Sequence, residues 1–191
     1  MKTFTLIMTL FITQNVFAQM EERKYFAGYE LLEMTMNKFQ NFAGEIGCRF
    51  NEKEQVRLTV MEVVLTERHL SNGYEAFGVD GSNVQGYFRN YEINYDRYFS
   101  EHWYYSINIS YDYHKYEHTI IDASVNNETM TIGSGIGYTH YDLFGIKHLF
   151  LNCSVPVRYF FNHLEETKLG GTTIRAHIIV NNIWLFIGYN F

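Results

Sequence analysis

Along most of the chain, hydrophobic and polar residues alternate one by one, the mark of strands whose two faces meet different surroundings. In 103–115, Trp103, Tyr105, Ile107, Ile109, Tyr111 and Tyr113 alternate with Tyr104, Ser106, Asn108, Ser110, Asp112 and His114. In 87–99, Tyr91, Ile93 and Tyr95 alternate with Asn90, Glu92, Asn94 and Asp96. The stretch 149–161 sets Leu149, Leu151, Cys153, Val155, Val157, Tyr159 and Phe161 against Asn152, Ser154 and Arg158. In 129–141, Met130, Ile132, Ile136 and Tyr138 oppose Thr131, Thr139 and three glycines. A soluble sandwich and a membrane-spanning barrel both alternate in this way. Soluble strands average about five or six residues, whereas these run about twice that, enough to cross hydrocarbon at a barrel's tilt, which takes roughly 9–11. The apolar face also places aromatics near its ends and aliphatics between, as girdles at two lipid–water interfaces require. The pattern predicts a barrel.

Strands are predicted near 25–36, 42–50, 56–68, 86–99, 103–118, 129–141, 148–162 and 173–191. Short connectors (51–55, 100–102, 142–147) alternate with longer loops (69–85, 119–128, 163–172), as turns and loops do at the two ends of bacterial barrels. The fold class is therefore all-β: an eight-stranded antiparallel up-and-down transmembrane β-barrel with a side-chain-filled polar interior, since eight strands leave no open channel. Three places resist the pattern. Glu30-Leu31-Leu32-Glu33 breaks the alternation, and Leu32, Met36 and Phe39 also fit a helical face, so Tyr25 to Met36 reads as strand or helix. A strand is favoured there because seven would leave the sheet unclosed. Glu62 shares a face with Val60 and Val64, which suggests a bulge. Pro156 deletes a ladder donor inside a strand, which also needs a bulge.

Residues 1–18 read as a cleaved signal peptide, with Lys2, an apolar stretch from Phe4 to Ile12, and Val16-Phe17-Ala18 before the cut. The barrel domain is 19–191. The whole chain of 191 residues carries a formal charge of −6, and removing Lys2 takes it to about −7, so no basic stripe exists for nucleic acid. Cys48 and Cys153 point outward on non-adjacent strands and read as free thiols. The histidines lack metal-ligand spacing, and no phosphate-binding glycine loop is present, so no metal and no cofactor is implied.

The chain ends with Ile183, Leu185, Ile187, Tyr189 and Phe191 on one face. This resembles the terminal strand of outer-membrane barrels, which the barrel-assembly machinery recognises by its final Phe and alternating hydrophobics. The architecture resembles the small OmpA-type and OmpX-type barrels. The resemblance implies an outer-membrane location in a Gram-negative envelope, with outer-membrane lipid and lipopolysaccharide around the wall. The predicted inward polar residues are Glu45, Arg49, Glu92, Asp96, Asn108, Asp112, Arg158 and Asn182. Buried charges need partners, so these read as a plug rather than an ion pathway. Arg89 and Arg97 fall outward near strand ends, where long side chains reach head groups.

One further motif, Arg68-His69-Leu70-Ser71-Asn72, resembles the His-x-Ser-Asn of the outer-membrane lipid A deacylases, also eight-stranded barrels. That resemblance implies His69 as general base and Ser71 as nucleophile, a pairing that activates a weakly nucleophilic hydroxyl. The match departs from the family in position, since there the motif lies near the C-terminal end. It also lacks the orienting Glu about a dozen residues later, where this chain reads Asp80-Gly81-Ser82-Asn83. The expected role is non-enzymatic: envelope structure, surface contact, or an accessory subunit of a larger outer-membrane complex. A lipid A acyl-ester hydrolase is the alternative.

Overall fold

The computed structural model describes residues 24–36, 41–65, 77–80, 83–176 and 178–191. Its strands are β1 (Tyr25–Glu30), β2 (Phe42–Asn51), β3 (Glu54–Leu65), β4 (Phe77–Asp80), β5 (Val84–Tyr98) and β6 (Trp103–His118). They continue as β7 (Ser124–Tyr141), β8 (Leu149–Phe160), β9 (Thr167–Leu169), β10 (Thr172–Ala176), β11 (Ile179–Asn181) and β12 (Trp184–Asn190). A single helix turn, α1 (Leu32–Met36), follows β1. Neighbours pair antiparallel in the order β1, β2, β3, β5, β6, β7, β8, and β12 closes the ring onto both β8 and β1. Because β11 and β12 pair with β8 in one continuous register, they form a single interrupted eighth strand.

Following the ladder once round gives the tilt. It leaves β8 at Phe150 and passes Gly188, Gly28, Glu45, Thr59, Glu92, Ser110 and Thr131. It returns to β8 at Phe160, ten residues further along. A shear of that size in eight strands tilts them by about 40° and leaves room inside for side chains only.

Alternation decides which face goes where. On β6, Trp103, Tyr105, Ile107, Ile109 and Tyr111 are exposed, while Tyr104, Ser106, Asn108, Ser110 and Asp112 are buried. From Trp103 to Tyr111 the tilted strand rises roughly 20 Å, close to the roughly 25 Å apolar band of a transmembrane barrel. Tyr25, Phe99 and Phe191 join Trp103 in one girdle; Tyr91, Tyr159 and Phe161 join Tyr111 in the other. The wall is apolar outside and polar inside, which is stable only with hydrocarbon around it.

Beyond the second girdle the polarity reverses. Arg89, Glu62, Lys115 and Glu117 point outward there as ion pairs, Arg89–Glu62 at 2.7 Å and Lys115–Glu117 at 2.5 Å. Inside at that end lie Phe88, Val84, Tyr116 and Phe160. This apolar cluster reaches down to Trp184 and Phe186 and up to Leu169 and Ile174. The interior is thus polar over only part of its height, because wall that stands in water needs an apolar filling.

Several expectations are corrected. Tyr25 to Met36 is neither all strand nor all helix: β1 stops at Glu30 and α1 takes over, with Met34 buried. The strand expected at 173–191 begins only at Ile179. Thr172–Ala176 belongs instead to a separate three-stranded sheet in the order β4, β10, β9, which joins the segment after β3 to the segment after β8. The connector expected at 119–128 shrinks to 119–123, because β7 starts at Ser124. No bulge occurs at Glu62; β3 keeps its register to Leu65, and Arg89 neutralises the outward carboxylate. No bulge absorbs Pro156 either. The Asn182 N–H donates to the Pro156 carbonyl at 3.4 Å, so both backbone groups of Pro156 face Asn182. The missing donor interrupts the neighbouring strand between β11 and β12.

Three inward glycines, Gly47, Gly137 and Gly188, make room for rings, the last for Phe150. A Cβ on Gly47 would come within 2.1 Å of Phe26, and one on Gly137 within 2.0 Å of Tyr104. Each ring lies over the glycine directly opposite on the next strand.

Candidate functional site

The lumen holds the densest chemistry among the described residues, and Arg57 is its hub. β3 points outward with Val56, Leu58 and Val60, so Gln55, Arg57 and Thr59 point inward and are buried. The Arg57 guanidinium donates from Nε to Asp96 Oδ2 at 2.6 Å and from Nη2 to Asp96 Oδ1 at 3.2 Å. Its Nη1 donates to Glu45 Oε2 at 2.7 Å. This is a two-pronged carboxylate clamp plus a second carboxylate, the geometry a guanidinium favours. Gln55 donates to Asp96 at 2.7 Å and accepts from Arg49 Nε at 3.3 Å. Arg49 Nη2 in turn donates to the Tyr141 hydroxyl at 2.6 Å. The network closes on rings: Tyr141 donates to Tyr98 at 3.3 Å, and Tyr104, which stands under Arg57, donates to Asn152 at 2.7 Å.

A second cluster lies nearer the outer mouth. Arg158 Nη1 stands 3.3 Å from Glu92, and its guanidinium lies 5.4 Å from the Trp184 ring centre. Asp112 accepts from Ser110 at 2.8 Å and from Asn90, and Ser110 shares a 2.6 Å hydrogen bond with Thr131.

Of the inward residues read from the sequence, Glu45 and Asp96 meet on Arg57, with Arg49 reaching them through Gln55. Glu92 meets Arg158. Asn108 and Asp112 are buried on β6, and Asn182 is half-buried in the break between β11 and β12. Arg57 itself was missed. Its signal was the run Val56, Leu58, Val60, whose apolar parity assigns Arg57 to the lumen; the outward Glu62 obscured it. Glu30 was missed as well. It is fully buried and accepts backbone N–H groups from Leu32, Glu33 and Leu185.

Leu185, Ile187 and Tyr189 stand on the outward face of β12, flanked by the exposed Ile183 and Phe191. Cys48 and Cys153 are half-buried free thiols. His69 and Ser71 lie outside the described residues. Among the described residues no three of His, Cys, Asp and Glu gather as a metal site. Ion pairs, hydrogen-bonded polar groups and rings line the lumen from the Tyr141 end to the Leu169 end.

No protein-family profile and no curated protein matches the chain. Among solved structures, it is similar to the N-terminal β-barrel domain of Pseudomonas aeruginosa OprF, at 14% identity and TM-score 0.42, over 87% of this chain and 96% of that one. It is similar to Ail, the attachment invasion locus protein of Yersinia pestis, at 13% identity and TM-score 0.41, over 90% and 100%. A major outer membrane protein from Thermus thermophilus gives 13% identity and TM-score 0.45, over 90% and 100%.

Proposed function

We propose that this chain is a small integral barrel of a Gram-negative outer membrane, delivered by its first eighteen residues and inserted by the barrel-assembly machinery. Its role is non-enzymatic. The observation that carries the reading is the wall itself: aromatic girdles with isoleucine and valine between them outside, and the Arg57–Glu45–Asp96 ion pairs inside. A face of that kind suits hydrocarbon, and a closed ring leaves no strand edge within it. The packed lumen supports a membrane-fixed support rather than a pore, with lipid and lipopolysaccharide around the wall. The rim built from β4, β9 and β10 is then the part that meets the cell's surroundings or a larger outer-membrane complex.

Expression of the full chain in a Gram-negative host tests this. The protein should sediment with the outer membrane, lose its first eighteen residues, and run on gels as a compact band that shifts only after boiling. Recovery from the soluble fraction or the inner membrane would refute the reading.

A further inference from the structure

The turn between β7 and β8 holds its apolar side chains away from the rest of the chain. Phe144 is 85% exposed, more than any other large hydrophobic side chain among the described residues, and Ile146 is exposed as well. Phe144 also has φ +57°, a left-handed backbone that aromatic residues rarely adopt. Asp142 and His148 share that region, at φ +51° and +74°. Hydrogen bonds fix the shape. The Gly145 N–H donates to the Asp142 carbonyl at 2.9 Å, the Ile146 N–H to the Leu143 carbonyl at 3.0 Å, and the His148 N–H to Asp142 Oδ1 at 2.8 Å. Such a backbone costs free energy, and an apolar ring left in water offsets none of it.

The position of the turn points to what covers the ring. Trp103, in one girdle with Tyr25, Phe99 and Phe191, faces Tyr138 across the β6–β7 ladder. β7 runs three residues further, to Tyr141, which carries it roughly 8 Å past Tyr138 along the barrel axis. The turn thus continues the apolar wall into the head-group layer, which is roughly 5–8 Å deep on each side of the hydrocarbon. Lys147, exposed next to Ile146, brings a positive charge to the level of lipid phosphates.

We propose that the 142–148 turn is an interfacial anchor for phospholipid in the leaflet at the end where Tyr25 and Phe191 lie. Phe144 and Ile146 insert beside the uppermost acyl carbons, and Lys147 meets a phosphate. The inference rests on the membrane location proposed above. A turn already fixed in shape gives up little freedom on entering lipid, which is what the left-handed backbone contributes.

Fluorescence tests it. The chain has two tryptophans, Trp103 on the wall and the buried Trp184. Trp103→Phe leaves Trp184 as background, and Phe144→Trp added to it supplies the reporter. These variants and the wild type are refolded into phosphatidylcholine vesicles, plain or brominated near the head-group end of the acyl chains. The emission that Phe144→Trp adds should lie to the blue of tryptophan in water, fall steeply in brominated vesicles and resist acrylamide. Emission like that of tryptophan in water, lost to acrylamide and not to bromine, would overturn the proposal. Emission immune to both quenchers would also overturn it, because a protein surface would then cover the ring. The difference between wild type and Trp103→Phe reports the wall itself. Bromine quenching there without quenching at position 144 sinks the anchor alone; quenching at neither refutes the membrane-facing wall as well.

Discussion

Glu30, the last residue of the first strand, accepts the backbone N–H of Leu185 on the last strand through Oε1 at 3.1 Å. The same carboxylate accepts the N–H of Leu32 at 3.1 Å and of Glu33 at 2.6 Å, which opens the helix turn that replaces the strand. One buried side chain therefore both ends β1 and fastens the seam of the ring. Glu30→Ala should lower the unfolding free energy by about 3–5 kcal/mol, since it strands three donors that cost about 1–3 kcal/mol each, partly offset because a carboxylate is no longer buried. Glu30→Gln keeps one acceptor oxygen and should cost about half as much. Urea titration of the refolded barrel in detergent measures both.

Arg57 offers the sharper contrast. Arg57→Met leaves Glu45 and Asp96 facing each other without a cation and should cost about 3–5 kcal/mol. The triple substitution Arg57→Met, Glu45→Gln, Asp96→Asn should recover most of that loss, because the cost of the single change lies in the abandoned carboxylates. The same urea titration reads the difference; a triple variant no more stable than the single one would contradict the argument.

Gly47 and Phe26 form a pair that can be broken and mended. Gly47→Val drives a side chain into the Phe26 ring and should destabilise by about 1–3 kcal/mol as overpacking. Adding Phe26→Ala vacates the space, so the double variant should be more stable than the sum of the single effects. A double-mutant cycle on unfolding midpoints checks it.

The packed lumen predicts silence in one assay and the proposed non-enzymatic role predicts it in another. In planar bilayers the barrel should show no stepwise conductance above background. Incubated with lipid A, it should release no fatty acid; release that Ser71→Ala abolishes would establish the hydrolase instead.

Most of the wall was readable from residue order because its two faces meet such different surroundings that parity alone sorts them. Trp103 to Tyr113 outward and Ser106 to Asp112 inward follow directly from the pattern. What escaped was set by contacts rather than by period. β1 ends because the Glu30 carboxylate finds the N–H groups of α1 and of Leu185, and nothing in the string Glu-Leu-Leu-Glu announces Leu185 as a partner. Pro156 was recognised as a defect, but its effect falls on Asn182, across a pairing that only closure creates. The small outer sheet joins Thr172–Ala176 to segments almost a hundred residues earlier and only a few residues away, and its strands are too short to carry a period. In the candidate site, Glu45, Asp96 and Glu92 were legible as inward acids. The counter-charge that Glu45 and Asp96 share was not, because a carboxylate on the outer face of the same strand looked like an error of parity.

Strand length is uneven among the described residues. β5, β6 and β7 run to 15, 16 and 18 residues, against 6 in β1, while the interrupted eighth strand reaches from Ile179 to Asn190. The β6–β7 hairpin thus rises roughly 15 Å past the upper tyrosines, like a parapet along one flank, and carries the uncovered Ile120 at its tip. That flank of the wall therefore stands clear of the hydrocarbon, and its outward Lys115–Glu117 ion pair sits where water can hydrate it.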